Sequence, residues 1–296
     1  MSTTPCSRVW FRIGFAGFLL VAGVQPNNAF TAQDDDAPRP SGATRLKFLQ
    51  QVLRDMQVES TLEDGEDRRE LKFQMTPLLR YNDPERGIAD SVIFRLGTRG
   101  RPIAIVTAEL YDGSGRQFLL NHEFLAIDDA RIRLRRDVFR WQPPKGAGLR
   151  FQPIDSETAA ANNPRARLAQ FKSLAARFSA REEWAGEQTK LRLLPTPLDR
   201  YVPSDSPNSD GVVFAFVAGV NPEALLFLET DGMKFSFAWA RLGAAQLESR
   251  LDDRTVWGVS GATEHEHPTA GYTSIHRTAY VPVELETNDE EEGKQP

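Results

Sequence analysis

Cysteine occurs once in the 296 residues, at Cys6, ahead of the only long apolar run in the chain. Everything after it therefore lacks disulfides, thiolate-bound metal and cysteine catalysis, and must be stabilised by its core. Histidine is scarce as well: His122, His265, His267 and His276 are the whole set. The phosphate-binding loop, the Gly-x-Gly-x-x-Gly dinucleotide fingerprint and the His-Glu-x-x-His zinc signature are all missing. Charge of one sign is not in large excess. The net value is −5, part of it in Asp34 to Asp36 and Asp289 to Glu292, so no attraction to nucleic acid is expected.

What is present begins with Arg8, Arg12 and an apolar run from Ile13 to Val24, closed by small residues at Ala29 and Ala32. Two cations, a run too short to span a bilayer comfortably and small exit residues predict a signal peptide over 1–32. The chain is thus expected in the periplasm or outside the cell, with membrane contact only through the signal segment if it stays uncleaved. Residues 33–42 (QDDDAPRPSG) have the composition of a flexible linker.

The dominant feature is internal similarity. Leu71 to Glu109 aligns without a gap on Leu191 to Glu229, with twelve of 39 positions identical. Chance would give about two or three at average residue frequencies. The matches include Arg80/Arg200, Tyr81/Tyr201, Asp90/Asp210, Val92/Val212, Phe94/Phe214 and Glu109/Glu229. The chain reads as a tandem duplication, with a first repeat over 43–155 and a second over 156–262. A C-terminal extension, 263–296, would have a disordered acidic end.

Each repeat shows a helical stripe followed by β-rich runs. Thr44 is the expected cap of the first helix, and Asn163 with Pro164 starts the second, whose stripe runs through Phe171, Leu174 and Phe178 to Ala180. Ser91–Leu96, Ile103–Leu110, Gly211–Val217 and Ala224–Thr230 predict strands, with turns at Asp112-Gly113 and Asp231-Gly232. The expected fold is α+β: two tandem units, each one helix plus an antiparallel sheet of about five strands.

The segment Phe178-Ser-Ala-Arg-Glu-Glu-Trp184, with Leu191-Arg-Leu-Leu-Pro-Thr-Pro-Leu-Asp-Arg-Tyr201, Asp210-Gly-Val-Val-Phe-Ala-Phe-Val217 and Asn221-Pro-Glu223, resembles a family of uncharacterised exported proteins of planctomycete bacteria. The likeness covers about 80 residues of the second half; the first half keeps only the skeleton and has no counterpart of Trp184. It implies compartment and lineage and brings no activity. Asp199 stands where the family pattern has an aromatic residue.

Three constellations could carry function. The repeated set Arg80, Tyr81, Asp90 and Arg200, Tyr201, Asp210 could bind a ligand between the repeats through paired Arg and Asp and a stacking Tyr. Its alternative is structural, because fold-determining residues must be duplicated with the fold whereas active sites rarely are. His265, His267 and His276 have the spacing of an open metal site, set against a solvent-exposed polar loop. Arg131, Arg133, Arg135, Arg136 and Arg140, beside Phe139 and Trp141, could hold an anionic polymer or form a strand's solvated face. Gly258-Val-Ser260-Gly-Ala262 echoes a nucleophile elbow, but no helix-forming stretch follows it.

The residues therefore predict no catalytic set and no cofactor. The expectation is a non-catalytic exported binding or interaction protein whose partner is a protein or small ligand of the cell envelope, with no nucleic acid. The alternative is a periplasmic hydrolase or other enzyme using Asp, Glu and His at the repeat interface.

Overall fold

A computed structural model describes residues 39–60, 71–113, 117–129, 132–136, 139–155, 159–203, 208–262 and 269–280. All belong to one compact unit. The expected signal segment, most of the linker, the turn residues Ser114 and Gly115, Arg131, His265, His267 and the acidic C-terminal end lie outside the described residues. None of the described helices is long and apolar enough to cross a membrane.

The first helix, α1 (Gly42–Arg54), starts before the predicted cap: the Ser41 hydroxyl accepts from the Thr44 N–H at 3.2 Å, which places Thr44 inside the first turn. Leu49, Val52 and Leu53 form its buried face. Strands β1 (Gln57–Ser60), β2 (Leu79–Asp83), β3 (Ile88–Leu96), β4 (Ala104–Asp112), β5 (Gln117–Ala126), β6 (Ile132–Arg136), β7 (Phe139–Trp141) and β8 (Gln152–Ile154) follow. Asn163 then caps α2 (Pro164–Ala175), accepting from the Ala166 N–H at 2.8 Å, with Pro164 at the first helical position. This helix stops at Ala175, short of the expected Ala180. Phe178, Ala180 and Glu182 are buried at every second position of β9 (Phe178–Trp184), a strand period that Phe178 masked by also fitting the helical stripe.

The rest is strand: β10 (Glu187–Leu193), β11 (Asp199–Tyr201), β12 (Asp210–Ala218), β13 (Asn221–Thr230), β14 (Phe235–Arg241), β15 (Gln246–Leu251), β16 (Arg254–Val259) and β17 (Tyr272–Tyr280). At the β13–β14 turn the Asp231 carboxylate accepts from the N–H groups of Met233 and Lys234, both at 2.8 Å, and Gly232 takes φ 97°.

This architecture corrects the expected pair of helix-plus-five-strand units. The protein is mostly β, 52% strand, with large curled sheets. One sheet has five strands in the order β17-β5-β4-β3-β2. A second has nine, ordered β16-β15-β9-β10-β12-β13-β14-β8 with β11 also on β12, and β1-β6-β7 form a small third sheet. Two strands cross between the halves: β8 pairs with β14, and β17 pairs with β5 over nine register positions. Alternating polarity identifies a strand but not its partner, so this exchange left no trace in the pattern.

The two large sheets pack face to face. Strands β3, β4, β12 and β13 are buried along nearly their whole length, as expected of strands covered on both sides. Ile93, Ile105 and Leu125 of the first sheet meet Val213, Leu225 and Phe227 of the second across an apolar central seam. On the outer face of the first sheet, Val92, Phe94 and Phe124 pack under α1 and the β1-β6-β7 wing. On the second, Phe214, Phe216 and Trp239 pack under α2 and the curled strands β9, β10 and β15. Burying a Phe side chain is worth about 1.5–3 kcal/mol, and Phe94 and Phe214 are 0% and 1% exposed.

Candidate functional site

The six repeated residues do not converge on one point. Arg80 and Tyr81 are neighbours on β2 and so project to opposite faces, as do Arg200 and Tyr201 on β11. On the helix side, Asp90 receives Arg80 (Nε 2.9 Å, Nη2 2.6 Å) and Arg45 of α1 (3.0 Å), while Arg80 also donates to the Gly42 carbonyl. Asp210 receives Arg200 (3.0 and 2.5 Å) and Arg167 of α2 (2.9 Å), and Arg200 donates to the Pro164 carbonyl. Each carboxylate thus ties the first turn of a helix to its sheet. Burial pushes the Asp210 carboxyl up, but hydrogen bonds from Arg200 and Arg167 outweigh it and hold it below the usual carboxylate range.

On the seam side, each tyrosine hydroxyl donates to a glutamate from the same half: Tyr81 to Glu109 at 2.8 Å and Tyr201 to Glu229 at 2.7 Å. Burial, reinforced by the glutamates, raises both phenols well above their ordinary value. Gly211 makes room for the second ring. A Cβ there would stand 2.6 Å from Tyr201 Cε2.

The seam carries further polar residues that no motif singled out. Arg101 grips Glu229 in a bidentate pair at 2.7 and 2.6 Å while stacking over Phe151, and Arg95 pairs with Asp199. Around Glu109 the donors are neutral: Tyr111 at 3.1 Å and Asn121 at 2.9 Å join Tyr81. Glu123 accepts from Tyr272 at 2.7 Å. Facing them, Glu223 and Glu182 share Arg86, which lies in the turn Pro84–Arg86; Glu223 also takes Asn221 at 3.0 Å. Burial lifts the Glu223 carboxyl to about 7 against the pull of Arg86. It lifts Glu123 well above the ordinary range too, helped by nearby Glu109. The available signal was Glu109/Glu229, identical in the repeat and equally spaced from Tyr81/Tyr201, but strand pairing was needed to join them.

Of the candidate metal ligands, His276 lies in β17, its backbone in register with Asn121. His122 is buried in β5, its ring 5.9 Å from that of Phe124 on the α1 side of the sheet. No group of three or more His, Cys, Asp or Glu among the described residues is arranged to hold a metal ion. In the basic cluster, Ile132 and Leu134 face the core, whereas Arg133 and Arg135 face outward onto Glu59, Arg133 at 3.7 Å. Ser260, of the elbow-like motif, follows strand β16 and leads into no described helix.

Two surface cavities are built from described residues. One, of about 320 Å³, lies on the outward face of β9, β10 and β15, where Ser179, Arg181, Gln188, Lys190 and Arg250 surround Glu248. Arg181 and Arg250 approach Glu248 at 3.0 and 2.9 Å, and Lys190 stands opposite Arg181 in register. The other, about 310 Å³, opens beside Arg101, Glu229, Ser209 and Lys234. Neither is lined by Glu109, Glu123, Glu182 or Glu223.

No family model, curated protein or solved structure matches the chain.

Proposed function

We propose that the chain is a non-catalytic exported binding protein that holds an anionic ligand on the outward face of β9, β10 and β15. The observation that carries this reading is how the charged groups are distributed. Among the described residues, the buried carboxylates are enclosed in the seam or held by arginines. Three cations against one carboxylate, Glu248, line an open groove of about 320 Å³ at sheet spacing, where a chain of negative groups could displace Glu248 from Arg181 and Arg250 and meet Lys190 as well. The wing on the opposite half carries the same theme, with Arg133 and Arg135 flanking Glu59. The signal-like N-terminus and the resemblance to exported planctomycete proteins support the compartment.

The test is retention on immobilised polygalacturonate against neutral dextran in low salt. The intact protein should bind only the acidic polymer and elute with salt, because each phosphate- or carboxylate-type contact is screened. Arg181→Ala with Arg250→Ala should weaken retention at least tenfold. Equal retention on dextran, or an unaltered double variant, would refute the reading.

A further inference from the structure

The two ends of the seam correspond in sequence but not in charge. At one end Glu229 is neutralised by the bidentate Arg101. The residue aligned with Arg101 is Asn221, and the glutamate aligned with Glu229 is Glu109, whose donors among the described residues are the neutral Tyr81, Tyr111 and Asn121 of β2, β4 and β5. Glu123 of β5 adds a second carboxylate on that side, held by Tyr272 of β17. From the opposite sheet, Glu223 of β13 and Glu182 of β9 share the guanidinium of Arg86, which also meets buried Asp83 of β2 at 3.7 Å. Arg241 of β14 stacks over Tyr272 at 4.8 Å but directs its N–H groups to the carbonyls of Gly243, Ala245 and Ser260. Among the described residues, these four glutamates, each no more than 8% exposed, are neighbours at this end of the seam, and the Arg241 guanidinium acts through space on Glu123 and Glu223. One Glu182 oxygen, Oε2, is buried with no hydrogen-bond partner.

We propose that this end of the seam is a proton-operated clasp: with Glu223 and Glu123 protonated β13 closes on β4 and β5, and when these two ionise their like charges loosen that contact. The inference does not depend on the nature of the ligand. Burial of a carboxylate in low dielectric disfavours its charged form, and a second carboxylate nearby adds to the effect. Glu223, lifted to about 7 from 4.5, therefore binds a proton in the folded chain that it gives up on unfolding at intermediate pH. Stability from this group is complete below about 4.5 and is lost as pH rises through about 7. Glu123, shifted the same way, extends the loss upward. Asp210, Asp231, Glu248 and Asp252 are held below their ordinary values and so remain ionised throughout this window.

The test is a carbon-detected NMR titration of the side-chain carboxyls of the intact chain, with urea midpoints measured from pH 5 to pH 8. At least one glutamate should titrate above pH 6 and disappear from that range in Glu223→Gln. The wild-type midpoint should fall across the window, more steeply than that of Glu223→Gln, whereas Glu229→Gln, at the neutralised end, should keep the wild-type slope. Should Glu223→Gln not fold, the wild-type titration decides alone. All glutamates titrating below pH 5.5, or a Glu223→Gln midpoint as pH-dependent as wild type, would overturn the clasp.

Discussion

Replacing Asp210 by Ala and, separately, Asp90 by Ala compares two aligned carboxylates whose surroundings differ in one respect. Both acids are 4% exposed and both bind one arginine from a helix and one from a strand. The helix arginine differs: Arg167 is 8% exposed, whereas Arg45 is 23% exposed. Without Asp210, the Arg167 guanidinium keeps only the Ala161 carbonyl at 3.0 Å and the Asn208 side chain at 3.2 Å, and stays buried as an uncompensated charge. Breaking a buried pair in this way costs about 3–5 kcal/mol. Without Asp90, Arg45 and Arg80 can turn to water, and the loss should be nearer the value of a charged hydrogen bond, about 1.5–3 kcal/mol. Urea unfolding at pH 7 gives both numbers from the midpoints and slopes. Because Asp210 is held below its ordinary value, its contribution is present above the usual carboxylate range and disappears as pH falls through the lowered value. The Asp210→Ala deficit should accordingly shrink in acid. An Asp210→Ala loss under about 1 kcal/mol, or an Asp90→Ala loss that equals or exceeds it, would refute the reasoning, since burial is what separates the two sites.

The close contact between Gly211 and Tyr201 predicts that Gly211→Ala destabilises by about 1–3 kcal/mol through overpacking. A thermal midpoint unchanged from wild type would show that the ring can move aside. Ending the chain after Ala262 removes β17, and with it Ile275 from the core and Tyr272 from Glu123. The product should be insoluble or lack near-ultraviolet circular dichroism, and a soluble monomer with native-like signal would contradict the role given to the exchanged strand.

Much of the local structure was legible because apolar period and burial agree. Ile103–Leu110 and Ala224–Thr230 read as strands, and Asn163-Pro164 marked a helix start that the side-chain cap realises. Layering was harder to foresee. Val92, Ile93 and Phe94 are all fully buried, and a run apolar on both faces does not reveal that one face meets a helix and the other a second sheet. The candidate site misled for a similar reason: Arg80, Tyr81 and Asp90 are near in sequence, yet the pleat sends Tyr81 away from the other two. Arg86, Glu182, Glu223 and Glu123 come from four separate elements, and only the packing of the two sheets brings them to one place.

The crossing of β8 and β17 sets an order in which the protein can be completed during its synthesis. Glu123 and Tyr272, joined by a hydrogen bond, lie 149 residues apart, and Asn121 and Ser274 lie 153 apart. A ribosome adding 5–20 residues per second needs roughly 7–30 s to cover that distance. Throughout that interval the N–H and C=O groups of β5 on its β17 side have no native partner, while β8 waits for β14. Neither half can close by itself, so the fold becomes available only once the strand ending at Tyr280 has emerged. A chain interrupted between the two halves would present β5 as a bare edge, the geometry through which one unfinished sheet recruits another.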